Sequence, residues 1–317
     1  MARYLIGKLG SSLPSLFLLA VVTFALLRAA PGNFAYAALR DAPTITPQLL
    51  HDTEVKYGLD KPVLVQFGNW FGSLLKGDLG RSFYFNQSVW SVLRQRLPVT
   101  LELMIGASII ALPLGIATGM LSAITRNSIF DYILRLLVLT GVVLPLFIVA
   151  IIILYILLDK FHYSPPLRYT SIISSPSQNI KQFVWPVLLL AVAPCASVSR
   201  LSRSQFLEVL REDYVRTARA KGLREYHVLT RHVLKNALPP IFGLVASILG
   251  LLISGTVIAE VIFALPGIGS ALLLGIQNRD YPLVQGIVLL IGVTFILIST
   301  GLDVAIGWLD PRTREAR

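Results

Sequence analysis

LREDYVRTARAKGLREYHVLTRHVLKNALPP, residues 210–240, is the longest strongly charged interval between apolar runs in the chain. Nine Lys or Arg fall from Arg200 to Lys235, against Glu208, Glu212, Asp213 and Glu225. Glu212 and Asp213 stand where the positive end of a helix dipole favours acids. Arg219 and Lys221 stand in the last turn, and Gly222 can take the left-handed conformation that closes a helix. The spacing predicts a short helix ending at Gly222. Beyond it Tyr226, Leu229, Val233 and Ala237 recur at steps of three and four, with Arg224, His227, Arg231 and Lys235 as a separate basic stripe. The expected shape is helix, glycine corner, helix: a folded loop at a membrane face. Ala218 and Ala220, beside Gly222, are small enough for a partner's surface to approach the backbone closely. On composition alone the interval reads equally as a basic loop obeying the positive-inside rule.

The rest of the chain sets that loop in a membrane. Of 317 residues 55% are hydrophobic and 14% charged, roughly half the ~25% charged typical of soluble domains. The net charge of +11 would suggest nucleic acid in a soluble chain, but apolar runs this long exclude that class. Cys195, the one cysteine, lies in an apolar run and permits neither an intrachain disulfide nor a cysteine metal cluster. The first apolar run is long and no small-residue cleavage site follows it, so it reads as a retained anchor.

Six intervals lack charge over a length near the ~20 residues a bilayer requires: residues 9–27, 103–125, 136–158, 182–199, 236–259 and 281–302. Each is expected to be a helix, because an isolated strand in lipid leaves its backbone groups unpaired. The fold class is therefore all-α and polytopic, with six transmembrane helices and both termini on one side. With the termini cytoplasmic, the inner segments carry 16 Lys or Arg in 69 positions and the outer segments 12 in 119, which favours that orientation.

The long outer segment, residues 28–102, is patterned. Thr46 and Pro47 form a cap and first turn, Leu49, Leu50 and Val55 offer apolar contacts, and Gly58 closes a first short helix. A second begins at Pro62, with Leu64, Phe67, Phe71 and Leu74 in one stripe before Gly77. Trp70 and Trp90 suit an interfacial aromatic belt. In the second span Gly115 and Gly119 make a GxxxG step suited to close helix packing. Pro113, Pro145 and Pro194 interrupt three spans, either as kinks satisfied by neighbouring helices or as flexible points for alternating access. Pro266, Gly267 and Gly269 predict a turn, Ser270 to Gln277 a short outer helix, and Asp280, Tyr281 and Pro282 the start of the last crossing.

Chemistry is sparse. No phosphate loop, His-Glu-x-x-His, paired-cysteine or nucleophile-elbow motif occurs. His51, His162, His227 and His232 share no metal spacing, so no metal and no catalytic residue is expected. Glu102, Glu260 and Asp303 stand at span ends, read as interfacial anchors or caps, and the centres of the six spans are uncharged. That counts against a proton-coupled carrier, which would place a carboxylate near mid-bilayer.

EDYVRTARAKG followed by HVLKNALPP closely resembles the cytoplasmic loop of ATP-binding-cassette (ABC) importer permeases of the dipeptide, oligopeptide and nickel group. GLDKPVLVQFGNW with GDLGRSF resembles that group's first outer loop. EVIFALPGIGSALLLGIQNRDYPLVQG resembles its outer re-entrant segment near the external gate, and IGWLDPRTR its C-terminal pattern. The likeness spans nearly the whole chain. One departure marks it: the general importer loop carries Glu-Ala-Ala ahead of the glycine, and here Arg216, Thr217 and Ala218 stand there, so the glutamate is absent, as in the peptide group.

The resemblance implies a type I importer permease fold. Residues 1–102 would be an N-terminal helix and outer loop, 103–310 a five-helix core with a coupling loop at 200–238, and 311–317 a cytoplasmic tail. It implies that Glu212, Asp213, Tyr214, Arg216, Thr217, Ala218, Arg219, Ala220, Lys221, Gly222 and Leu223 contact an ATPase, supported by His232, Asn236 and Pro239. Glu260, Pro266, Gly267 and Gly269 would belong to an external gate. The implied partners are a second homologous permease, two ABC ATPase subunits that hold ATP and Mg, an extracytoplasmic solute-binding protein and membrane lipid. This chain would bind no cofactor and no nucleic acid and would sit in the inner membrane with both termini cytoplasmic. The implied cargo is a di- or oligopeptide, with a nickel chelate or another small solute as the alternative.

Overall fold

The computed structural model describes residues 2–29, 35, 38, 39, 44–163 and 169–309. The expected tail, 311–317, and the side chain of Asp303 lie outside the described residues. In chain order the elements are α1 (Ala2–Ala29), α2 (Pro47–Lys56), α3 (Val63–Leu75), β1 (Arg81–Ser82), β2 (Gln87–Ser88), α4 (Val89–Ile124), α5 (Ile129–Val143), α6 (Leu146–Phe161), α7 (Pro176–Val209) and α8 (Asp213–Ala220). A single turn at Glu225–His227 and a π-helix at Val228–Leu234 lead into α9 (Lys235–Ile262), followed by α10 (Ile268–Gln277) and α11 (Tyr281–Leu309).

Among the described residues four helices are long and apolar enough to cross a membrane: Gly10–Ala29, Val89–Ile124, Pro176–Val209 and Tyr281–Leu302. Two bent pairs bring the number to six if each is one span: Ile129–Val143 with Leu146–Phe161, bent by 100°, and Glu225–Val245 with Ser247–Ile262, bent by 45°. The expected third crossing is thus a broken pair hinged at Pro145, the N-cap of α6. Pro113 and Pro194 instead sit inside unbroken helices, their missing hydrogen bonds tolerated by the surrounding packing. Helices α4 and α7 overrun their predicted spans because charges mark where lipid ends, not where a helix ends.

The chain forms two compact units. One is Met1–Pro98 with Pro266–Leu297. In it Thr46 caps α2 by accepting from the Leu49 amide at 3.2 Å, as predicted. The side chain α2 buries is Thr53, while Leu49 and Val55 stay exposed. Helix α3 packs through Phe67, Trp70 and Phe71 on Phe17 and Phe24 of α1, with centroids 5.3–6.3 Å apart, whereas Leu64 at the head of the predicted stripe is exposed. The hairpin β1–β2, with two residues in each strand and not anticipated from sequence, is tied down by Asp280. That fully buried carboxylate accepts from Ser82 Oγ at 2.5 Å and the Tyr84 amide at 3.0 Å, and caps α11 through the Leu283 amide at 3.2 Å.

The other unit is Val99–Leu265 with Ile298–Arg317. Its core gathers Leu103, Ala107 and Ala111 of α4, Leu189, Leu190 and Val198 of α7, and Ile241, Ile248 and Leu252 of α9. The GxxxG step does what its spacing suggests. A Cβ on Gly115 would lie 2.8 Å from the Cys195 carbonyl oxygen, and one on Gly119 2.5 Å from that of Ser199 and 2.9 Å from the Arg203 amide nitrogen. A Cβ on Gly243 of α9 meets nothing within 4 Å. Gly119→Ala should therefore destabilise the chain by about 1–3 kcal/mol through overpacking against backbone. Gly243→Ala should stabilise it by about 0.5 kcal/mol through lost chain entropy. Thermal unfolding of the two variants in detergent checks this, and shifts of the same sign would contradict the packing.

Candidate functional site

The coupling-loop residues form one structure within the second unit. Helix α8 spans Asp213–Ala220 and turns Val215 and Ala218 inward. They join a core with Ala123 of α4, Phe206 and Val209 of α7, Val228 and Val233 of the π-helix, and Ala237 of α9. Glu212, Asp213, Tyr214, Arg216, Thr217, Arg219, Ala220, Lys221, Gly222 and Leu223 face out. Ala218 is thus corrected: its small side chain serves the chain's own core, and of the two alanines only Ala220 is open to a partner.

Gly222 has φ +79°, a conformation that side chains with a Cβ resist. Its amide donates to the Arg219 carbonyl at 2.9 Å, and the Leu223 amide reaches back to Ala218 at 3.4 Å. Across the corner Arg219 donates a fork to Glu225, Nε to Oε2 at 3.1 Å and Nη2 to Oε1 at 2.7 Å. That hydrogen-bonded ion pair holds the Glu225 carboxyl below its ordinary value and the Arg219 guanidinium above its own.

The second arm departs from α-helical period. The π-helix Val228–Leu234 bonds i to i+5, and that longer repeat buries Val228 and Val233 together. Tyr226, which α-helical spacing places in the apolar stripe, is 73% exposed instead. Asn236 Nδ2 donates to the His232 carbonyl at 2.6 Å. Pro239 lies inside α9.

Beneath the loop is a cluster that sequence reading missed. Asp131, fully buried at the start of α5, accepts from Ser122 Oγ of α4 at 2.5 Å. It also accepts from Arg203 of α7 at 3.1 and 3.0 Å and from the Asn127 amide at 3.1 Å. Arg135 pairs with it at 3.3 Å. The available clue was local: Ser128 followed by Asp131 is the Ser-x-x-acid pattern of a helix start, and the Asp131 amide does donate to Ser128 Oγ at 3.1 Å.

The residues read as an external gate fall in different units. In the second unit Glu260 is fully buried and accepts from Thr100 Oγ1 at 2.6 Å, which corrects its reading as an interfacial anchor. Glu102 takes hydrogen bonds from Tyr169 at 2.8 Å and Asn179 at 2.7 Å. In the first unit Gly267 is the extended N-cap of α10 and Gly269 is buried inside that helix rather than in the turn. The Gly267 carbonyl accepts from Ser270 Oγ at 2.9 Å.

Residues 111–315 match the family described as the binding-protein-dependent transport system inner membrane component, and residues 1–104 match the family of its N-terminal part. The chain belongs to this family. A peptide transport system permease protein of Brucella abortus is 36% identical over 314 residues, 99% of either chain. The di/tripeptide transport system permease protein of Pseudomonas aeruginosa is 33% identical over 337 residues, the whole of both. The solved MetNI methionine ABC transporter in inward-facing conformations covers 70% of this chain and 94% of its own at 18% identity, with a TM-score of 0.48. The permease is a multi-pass subunit of an ABC importer. It has no ATPase site of its own and works with ATPase and solute-binding partners.

Two predictions follow the geometry. Asp131→Asn leaves Arg203 without its carboxylate and should cost about 3 kcal/mol, read as a fall in the thermal midpoint of the purified permease. An unchanged midpoint would show that the cluster holds nothing. The exposed Arg219–Glu225 fork should show a coupling of about 0.5 kcal/mol in a double-mutant cycle at neutral pH. Because the Glu225 pKa is lowered by folding, that coupling should be full above the ordinary glutamate pKa and vanish as pH falls through the depressed one.

Proposed function

We propose that this permease forms half of the translocation pathway of an importer of di- or oligopeptides in the inner membrane, its termini cytoplasmic and its loop at 200–238 seated on an ATPase. A second homologous permease completes the pathway, two ATPase subunits bind ATP and Mg, and an extracytoplasmic protein delivers the solute. Identity of 33–36% along the full length of relatives named as peptide permeases supports the cargo.

The observation that carries the coupling role is the corner itself. Tyr214, Thr217, Ala220 and Leu223 face out from a helix whose inner face is locked into the core by Val215 and Ala218. A push on that face moves α7, the π-helix and α9 as one body. The part that would move with the corner is the second compact unit, so of the expected core at residues 103–310 the stretch Pro266–Leu297, grouped with residues 1–98, falls outside it. Glu260 in the second unit, and Pro266, Gly267 and Gly269 in the first, are each proposed as external-gate residues.

Proline cannot adopt φ +79° and lacks the amide that bonds Arg219. Gly222→Pro should therefore leave membrane insertion intact while lowering peptide-stimulated ATP hydrolysis at least about tenfold, a loss of 1.4 kcal/mol in barrier terms. The assay is hydrolysis by the complex co-purified through a tag on this chain, with its binding protein, across dipeptides, oligopeptides and nickel chelates. Normal stimulation in the variant would overturn the coupling role, and stimulation by a chelate alone would replace the cargo.

A further inference from the structure

Helix α7 is the most enclosed span, yet its last third carries one open polar stripe. Ser197, Arg200, Ser204 and Glu208 lie within about 80° of one another at 100° per residue, all but the half-buried Ser197 are exposed, and the exposed Arg211 follows in the turn after the helix. On the same face one to two turns earlier, Leu190 is buried and Ala193 half-buried. The stripe is therefore closed over at one end and open at the end that carries the coupling loop.

Two cavities meet on it. One of about 700 Å³ runs between α5 and α7; another of about 370 Å³ lies between α7 and α9, where Leu244, Ser247 and Leu251 form the opposite wall. Arg200 and Ser204 line both. Their volumes fall in the range of small-molecule sites, roughly 300–1,000 Å³.

Lipid does not suit this face. The exposed surface of α5 and α6 is mostly apolar, with Ile129, Ile133, Leu136, Leu137, Val143 and Phe147 open to hydrocarbon, and Leu134, Val138 and Leu139 form the α5 wall of the larger cavity. Ser197 falls in the crossing predicted at 182–199 and Arg200, Ser204 and Glu208 in the segment read as cytoplasmic, so the stripe runs from inside the bilayer out to its inner face, where water or protein rather than lipid covers it. Asp131 already faces Arg203 and Arg135. Of the remaining charges lining the larger cavity, Arg200 and Arg211 stand with Glu208 and Glu212, so the surface offers both signs, as a zwitterionic solute requires.

We propose that this stripe is the subunit's wall of the solute passage at its cytoplasmic mouth, and that Arg200, at the junction of the two cavities, takes the solute's carboxylate. The proposal rests on the peptide-importer reading. Its test uses the assembled complex in inside-out vesicles, in a Cys195→Ala background that removes the native thiol.

Ser204→Cys and Ser247→Cys should react with a membrane-impermeant thiol reagent at least about tenfold faster than the lipid-facing Leu136→Cys, since reaction requires the water-exposed thiolate. In uptake assays Arg200→Ala should reduce import of a dipeptide about tenfold more than import of its C-terminal amide, the loss of one charge-assisted hydrogen bond. Arg200→Lys should restore part of the difference. Unreactive cysteines at 204 and 247 would place the stripe against the second permease or lipid and overturn the passage. Equal loss for dipeptide and amide would overturn the carboxylate site while leaving the peptide reading intact. If the unaltered complex imports no peptide, that reading and the carboxylate site fall together, and the labelling alone judges the wall.

Discussion

The buried carboxylate of Asp131 ties together the three helices on which the coupling loop rests. A carboxylate removed from water is tolerable only with compensating charge and filled hydrogen-bonding capacity, and Asp131 has both. Arg203 meets its two oxygens, Ser122 and the Asn127 amide take further lone pairs, and Arg135 adds a second cation. These partners come from α4, from the turn before α5, from α5 itself and from α7, so satisfying the group brings the ends of all three helices to one point. Asn127 contributes through its backbone: φ +64° turns the chain so that the amide meets the carboxylate.

That arrangement sets the floor of the loop. Ala123 adjoins Ser122 and Phe206 lies one turn beyond Arg203, and both belong to the apolar core that receives Val215 and Ala218. Polar compensation on one side of the helix ends and apolar burial on the other therefore act on the same backbone. The π-helix extends the logic to the second arm. α-Helical spacing would put Tyr226 on the face of Val233; the π-helix instead leaves Tyr226 exposed and brings Val228 and Val233 together into the core. Irregular hydrogen bonding is the cost of seating a rigid corner on a small core.

Much of this was legible from residues alone. The corner at Gly222, the cap at Thr46, the packing at Gly115 and Gly119 and the apolar spans follow from local rules of capping, periodicity and charge that need no knowledge of neighbours. What escaped was set by contacts between distant positions. Asp131 and Arg203 are 72 residues apart, and each looks like an ordinary loop-side charge in the chain. Asp280 gives no hint that Ser82 and Tyr84 will reach it, so the hairpin it secures was invisible. Glu260 at a span end reads as interfacial until Thr100 is seen beside it. Ala218 and Tyr226 were misplaced because the direction in which a short helix faces is decided by the surface it packs on, and the π turn changes the period on which such a reading depends.

The same helix joins the loop to the passage. Helix α7 runs unbroken from Pro176 to Val209, so its buried upper half, the Asp131–Arg203 tie and the polar stripe from Ser197 onward belong to a single rod. Pro186 and Pro194 each leave the carbonyl four residues back, of Gln182 and Leu190, without its helical donor, yet the helix runs through both without a break. Displacing the coupling corner therefore tilts or slides the rod as a whole. Because the stripe is closed at Leu190 and open from Arg200 onward, a tilt that opens one end brings the other toward its neighbours. On the coupling and passage proposed above, a push on α8 becomes alternate exposure of one polar face, and the resistance to that movement depends on how firmly Asp131 holds its three helices together.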